Sequence, residues 1–412
     1  MKIKSLILGS AAALLAVSGA RAADAVMAPE PEPVDYVKVC DAYGAGYYYI
    51  PGTETCLSIR GYVWFQVGAT SRDSADQTPG YYFNPTTFGI NNQSDGWNTG
   101  TRVRLDIKAK SDTELGTLTG WIRLQADWNA KAGLTGSTID GPVGIDQAWV
   151  QLGGLAMGYG ESAWFYQFNN STLNYGSFSW GGLYYGYQER QQIRYEFGGS
   201  TGFYGLISLE DPADEYSYMP DVVGRIGYGG AWGAVALTAA YDHDRNGNGI
   251  TPGKAVLNPD GTITVTPAAP YGTNGSAFAG SLSALFNIPS MPGSAFKIVG
   301  YYNSADSNYG PGSPLAGSSA GYGLGQPEWS VLASLLYQAT PNLGLIVSGQ
   351  YFGNAYYAGT SDKAPDSSAW AAEVSAVWTP VKNFEVRPEV VYTKAEHLDG
   401  TVSGYLRFTR YF

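Results

Sequence analysis

Charge is scarce in this chain. Asp, Glu, Lys and Arg make up 14% of its 412 residues, where a soluble protein carries about 25%. Long apolar runs are scarcer still: beyond the first residues the longest, around Ala231 to Ala240, is broken by Gly and Thr, which excludes helical membrane spans. Histidine is limited to His243 and His397, both in segments read as connections, so a His-based hydrolase site is not expected. The two cysteines, Cys40 and Cys56, have fifteen residues between them, which excludes a CxxC redox or metal site. No phosphate-loop, dinucleotide-binding or zinc spacing occurs. Asp244-Arg245-Asn246-Gly247-Asn248-Gly249 matches the opening of a calcium loop, but the twelfth position is Ala255, where a bidentate Glu is required. It reads as a surface turn. Neither a cofactor nor an enzymatic activity is expected, and a net charge of −11 argues against nucleic acid as a partner.

What is present begins with an export signal. Lys2 and Lys4 precede an apolar core from Leu6 to Val17, and Ala20-Arg21-Ala22 reads as an A-x-A cleavage site. That core is too short to span about 30 Å of hydrocarbon. Removing residues 1–22 takes away Lys2, Lys4 and Arg21 and no acid, so −11 becomes −14. An exported chain without helical spans is periplasmic, secreted or a barrel in the outer membrane. Glycine at 55 residues and tyrosine at 32 favour the barrel, whose strands give only every second residue to lipid. The last strand, Tyr405-Leu406-Arg407-Phe408-Thr409-Arg410-Tyr411-Phe412, resembles the C-terminal signal read by the barrel assembly machinery, although Arg410 stands where an apolar residue is usual. Export to an oxidising compartment predicts a Cys40–Cys56 disulfide, worth about 3 kcal/mol in the chain-entropy model.

Between these ends the chain alternates with period two. Val103, Leu105, Ile107 and Ala109 share one face, and Arg102, Arg104, Asp106, Lys108 and Lys110 the other. After the turn 111–116, Leu118, Ile122, Leu124, Ala126 and Trp128 oppose Thr119, Trp121, Arg123, Gln125 and Asp127. Period alone does not separate a soluble sandwich from a barrel; the export signal and last strand decide for lipid outside and water inside. Strands are predicted at 59–70, 101–110, 117–129, 144–152, 155–160, 191–197, 201–210, 221–228, 232–242, 276–287, 294–304, 328–338, 342–352, 369–378, 383–394 and 401–412. Short connections alternate with long ones (71–100, 161–190, 243–275, 305–327), and aromatics such as Trp329, Tyr351 and Trp378 collect near strand ends. The expected fold is therefore all-β, a transmembrane antiparallel β-barrel of sixteen strands with both termini periplasmic. The expected division is 1–22 signal peptide, 23–58 periplasmic Pro/Glu linker (from Ala28-Pro29-Glu30-Pro31-Glu32-Pro33) and disulfide-closed segment, and 59–412 barrel.

The block from Val39 through Cys40-Asp41-Ala42-Tyr43-Gly44 and Tyr47-Tyr48-Tyr49-Ile50-Pro51 to Cys56-Leu57 resembles the alphaproteobacterial porin family of rhizobial type. The resemblance extends to the processing site, the Pro-Glu linker, Glu114-Leu115-Gly116-Thr117-Leu118, Tyr218-Met219-Pro220 and Arg407-Phe408-x-Arg410-x-Phe412. It implies a sixteen-stranded barrel, a homotrimer embedded in outer-membrane lipid and lipopolysaccharide, and passive diffusion of small hydrophilic solutes. It also implies attachment to peptidoglycan through the N-terminus, and a third long loop, 161–190, folded into the lumen as a constriction. Opposite that loop, Arg104, Arg123, Arg387 and Arg407 share lumen parity on strands that barrel closure brings together. The loop holds only Glu161 and Glu189 as acids, but is rich in aromatics, among them Trp164, Tyr166, Trp180 and Tyr185. A weak transverse field and stacking faces predict good passage of neutral solutes such as sugars; the competing expectation is that these aromatics pack the loop against the wall. A gated transporter with a plug domain would need many more residues, with no globular segment expected before the first strand, and a barrel enzyme or adhesin would need a catalytic constellation or a much larger outer domain.

Overall fold

The computed structural model describes residues 38–72, 82–84, 89–91, 96–129, 143–165, 183–212, 219–243, 250–251, 255–257, 263–265, 269–270, 275–314, 324–396 and 400–412. The predicted signal peptide, Pro/Glu linker, calcium-like turn, Tyr166, Trp180 and His397 lie outside these residues.

Sixteen long strands form one closed antiparallel sheet. They are β1 Cys56–Arg72, β2 Gly96–Thr113, β3 Gly116–Asn129, β4 Gly144–Leu152, β5 Leu155–Glu161, β6 Glu189–Gly198, β7 Gly202–Glu210 and β8 Asp221–Gly230, followed by β9 Gly233–Asp242, β10 Ala277–Asn287, β11 Ala295–Asn303, β12 Leu324–Thr340, β13 Leu343–Tyr357, β14 Ala369–Val381, β15 Phe384–Ala395 and β16 Thr401–Tyr411. Each pairs with its neighbours in sequence, and β1 pairs with both β2 and β16, which closes the barrel. Among the described residues no helix is long and apolar enough to cross a membrane; the strands cross it instead.

The dyad pattern sets the two surfaces. Along β13, Leu345, Val347 and Tyr351 are exposed while Ile346, Ser348 and Gln350 between them are buried. An exposed apolar face with polar groups inside inverts a soluble protein and fits lipid around a hydrated lumen. Aromatic contacts ring the outer face near the loop end, where Trp329 stacks on Tyr351 and Trp370 packs on Tyr392. Others ring the turn end, such as Phe203 on Tyr228 and Trp232 on Phe286. Arg410, the departure in the last strand, has lipid-facing parity, and its guanidinium turns to the carbonyls of Lys382 and Asn383 in the adjacent turn. The polar head thus leaves the apolar band.

At one end the connections are tight. Gly153-Gly154 joins β4 to β5, and Leu152 pairs directly with Leu155; Gly153 takes φ 55°, which a two-residue hairpin of matching twist requires.

All sixteen predicted strands are found, and the differences lie in their ends. β12 starts at Leu324 rather than 328 because its register shifts between Leu324 and Pro327: a bulge accommodates the proline that marks an apparent strand end in the sequence. β1 starts at Cys56 rather than 59, with Cys56 opposite both Lys110 and Tyr49. The second cysteine is therefore the first residue of the barrel wall. Its disulfide to Cys40 is present and closes a small sheet in which Tyr48–Tyr49 pairs with β1 and Tyr49 N–H donates to Lys38 O at 2.8 Å.

Candidate functional site

The inward parity of β15, β16, β1, β2 and β3 builds one basic sector of the lumen. Register puts Arg387 opposite Arg407, Arg407 opposite Gln66, Trp64 opposite Arg102, Arg102 opposite Asp127, and Arg123 opposite Asp106. Directly opposed like charges cost energy on a sheet, so each cation needs its own partner. Arg387 meets Glu385 at 2.7 Å, and Arg407 Nε donates to Gln66 Oε1 at 2.9 Å. Arg102 Nε donates to Asp127 Oδ1 at 2.6 Å, Arg104 Nε to Gln125 Oε1 at 2.9 Å, and Arg123 Nε to Asp106 Oδ1 at 2.8 Å. Asp146 lies 3.6 Å from both Arg104 and Arg123, and Glu161 lies 3.4 Å from Arg123. The Trp64 ring lies under two guanidiniums, Arg407 at 4.6 Å and Arg102 at 5.6 Å from its centroid, a cation–π arrangement that fixes the planes of both.

The opposite side holds the loop. Its outgoing limb, Ser162 to Phe165, and its returning limb, Leu183 to Gln188, are zipped by Phe165 against Tyr187, with centroids 4.9 Å apart. Arg225 on β8 donates to the carbonyls of Ala163 and Trp164 at 2.8 and 3.0 Å. Glu210 accepts from Ala163 N–H and the Ser162 hydroxyl at 2.8 and 2.7 Å. Gln350 on β13 brackets Tyr184, accepting from its N–H and donating to its carbonyl, and Leu183 packs on Leu332 and Ala371. The loop therefore crosses from its root on β5 to β12–β14. Segment 304–312, which follows β11, locks it there. Gly310 O accepts the Trp164 indole N–H at 3.1 Å, and the Tyr309 hydroxyl reaches Glu210 at 3.2 Å and Asp221 at 3.0 Å. Asp242 holds Ser307 and Asn308.

Of the predicted aromatics, Trp164 and Tyr185 lie among the described residues. Trp164 is 2% exposed, packed between Tyr301 and Tyr309, so its ring fastens the loop to the wall and offers no open face. Tyr185 lies against the lumen within electrostatic reach of Glu161, Arg102, Arg104 and Arg407; burial first, then Glu161, holds its phenol above the ordinary value against the pull of those arginines. Arg104, Arg123, Arg387 and Arg407 fall in one sector, and Arg102 joins them by register and pairing. Its parity with Arg104 was visible in the sequence. The partner carboxylates lie mainly on the wall, on β2, β3 and β4, where attention to the loop alone does not find them. Segment 304–312 carried only a weak signal, the turn-rich Ser307-Asn308-Tyr309-Gly310-Pro311-Gly312.

A closed transmembrane barrel whose inner wall is polar, narrowed by a loop tied across its lumen, defines the class of outer-membrane diffusion channels. Residues 24–407 match the family model described as Porin subfamily. Porin Omp2b of Brucella suis is 33% identical over 449 aligned residues, covering 100% of both chains, and Porin Omp2b of Brucella neotomae is 41% identical over 270 residues, covering 59% of this chain and 66% of that one. Among solved structures, the outer membrane channel DcaP of Acinetobacter baumannii superposes with a TM-score of 0.58 at 14% identity, over 88% of this chain and 99% of that chain. The chain belongs to this porin family. It is a multi-pass outer-membrane protein that forms a passive channel for small hydrophilic solutes, and it is not an enzyme.

Proposed function

We propose that the eyelet of this porin lies between the loop 161–188 and the sector bearing Arg102, Arg104, Arg123, Arg387 and Arg407, and that it passes neutral hydrated solutes, sugars included, at least as readily as ions. The supporting observation is that each of these guanidiniums already meets a wall acceptor, namely Asp127, Gln125, Asp106, Glu385 and Gln66 in turn. Three of these acceptors are carboxylates, and Asp146 and Glu161 add two more beside Arg104 and Arg123, so five carboxylates offset five guanidiniums within the wall, and the opening presents hydrogen-bonding groups to a solute without a strong field across it. The phenol of Tyr185, facing this sector, is the described aromatic best placed to meet a sugar; Tyr166 and Trp180 belong to the same proposal. In planar bilayers a neutral disaccharide should produce resolvable interruptions of the open current, with affinity about twofold lower in Tyr185→Phe, the size of one weak hydrogen bond. Open channels whose current no sugar perturbs would reduce the eyelet to a nonspecific one.

We propose further that residues 1–22 are removed on export and that the N-terminus so exposed joins peptidoglycan in the periplasm. The tight turns and both termini face the periplasm, as short turns do in such barrels. The barrel assembly machinery reads the last strand, outer-membrane lipid and lipopolysaccharide surround the wall, and the working unit is a homotrimer. A single-barrel native mass in mild detergent would refute the trimer, and peptidoglycan digests lacking the N-terminal peptide would refute the attachment.

A further inference from the structure

The disulfide-closed segment lies on the inner face of the wall. Cys56 has the inward parity of Ser58, Arg60, Tyr62 and Trp64, and its register partner Lys110 shares that face with Lys108 and Asp106. The disulfide is fully covered, with Cys40 and Cys56 at 0% and 2% exposure. Between Cys40 and Tyr47, whose O accepts the Cys40 N–H at 3.0 Å, the chain makes a short turn, Asp41–Tyr43, and passes Gly44 and Gly46 at φ 91° and 88°. Inward side chains of the barrel grip this excursion. Arg60 donates to Ala45 O and lies over the Tyr47 ring at 5.7 Å. Lys110 Nζ lies 5.4 Å from the Tyr43 ring and 5.6 Å from the Tyr47 ring. A cavity of about 220 Å³ results, lined by Tyr47, Ser58, Arg60, Asp106, Lys108 and Arg123. Three cations there face one carboxylate, and Arg123 and the Trp121 indole already occupy that carboxylate.

We propose that the lobe 40–47 is a second, fixed narrowing at the turn end of the pore, and that the basic vestibule it closes with Arg60 and Lys108 holds small oxyanions of the phosphate or carboxylate type. Cations lining a confined mouth with low-dielectric walls raise the local concentration of anions, whereas the balanced eyelet does not. The disulfide holds the Cys40 end of the lobe inside the mouth, together with the pairing of Tyr48–Tyr49 to β1, the three cation–ring contacts and the Arg60 bond.

This rests on the chain being an open pore, so the wild type is measured first, in bilayers, with inorganic phosphate as the probe. Arg60→Gln/Lys108→Gln should lower the anion-to-cation permeability ratio at least about twofold and abolish current reduction by phosphate. Cys40→Ser/Cys56→Ser should widen the cut-off for neutral polymers added from the turn side only. If the cysteine variant fails to assemble, Tyr47→Ala with the disulfide intact supplies the same reading of polymer size. A wild type that opens no channel would overturn the pore reading and this one together. Open channels whose permeability ratio, phosphate response and one-sided polymer cut-off ignore these substitutions would overturn this inference alone.

Discussion

The two sides of the lumen use the same residue types for different ends. On β15, β16, β2 and β3 the arginines bind side-chain acceptors of the wall, on the neighbouring strand or, for Arg387, on its own, and Arg104, Arg123 and Arg387 keep 17%, 14% and 12% of their side chains exposed. On β7–β9, Arg225 is 2% exposed and Glu210, Asp221 and Asp242 are at 0%, because their partners are the backbone and hydroxyls of two loops folded over them. In the sector of β15, β16, β2 and β3, a charge whose acceptor lies beside it in the wall remains part of the water-filled surface. A charge whose acceptor lies above it is roofed over by that acceptor. Parity alone puts both kinds inside the barrel; what each arginine faces decides whether a solute meets it.

The largest expected effect of breaking this contrast lies on the roofed side. Arg225→Met removes two charge-assisted bonds, to Ala163 O and Trp164 O, and leaves those carbonyls without a strong donor. It should cost about 3 kcal/mol in denaturant unfolding of the assembled barrel, and it should convert steady open current into noisy, larger steps as the loop loses its hold. Steady current of wild-type size would show that Gln350 and segment 304–312 suffice as anchors.

On the open side the effect is smaller and of another kind. Arg387→Gln/Arg407→Gln relieves a like-charge pair directly opposed across β15 and β16, so unfolding should shift by less than about 1 kcal/mol, while the permeability ratio moves toward cations as Glu385 loses its partner. The comparison sharpens if Glu385→Gln is added, because the ratio should then return toward the wild-type value. A large loss of stability in the first variant would mean that this sector too is architecture.

Most of the barrel was legible from the sequence because each strand repeats one local rule, apolar out and polar in, and glycine-bearing turns punctuate it. The site was legible to the extent that it obeys that rule. Arg104, Arg123, Arg387 and Arg407 follow from parity, and closure sets β16 and β2 beside β1, with β15 and β3 next to them. What parity cannot give is the height of one strand relative to the next. That stagger decides that Arg102 meets Asp127 and shares Trp64 with Arg407. Loop contacts are less legible still. Trp164 meets Gly310 across 146 positions, and no periodicity links them; an aromatic in a connection reads alike whether its ring faces a solute or is buried under a second loop.

The smallest expected effect concerns Tyr309, where the contrast predicts an absence of response. Its hydroxyl donates between Glu210 and Asp221, so the anchor requires a protonated phenol. Burial, then the charges of Glu210 and Asp221, push its pKa well above the ordinary value. In the unfolded chain a tyrosine titrates near about 10. A folded pKa raised above that value contributes stability that is fully present below about pH 10 and is lost as pH rises past it, because the unfolded chain gives up the proton first. Between pH 7 and about 9.5 the loop should therefore stay fastened, with open-channel noise constant and the thermal midpoint unchanged by this group. Above about pH 10 the midpoint should fall before the noise rises, since the folded phenol still holds its proton when the unfolded one does not. Noise that grows in step with ordinary phenol titration would show that Tyr309 is open to water, and would place the loop's outgoing limb on the solvated side of the comparison.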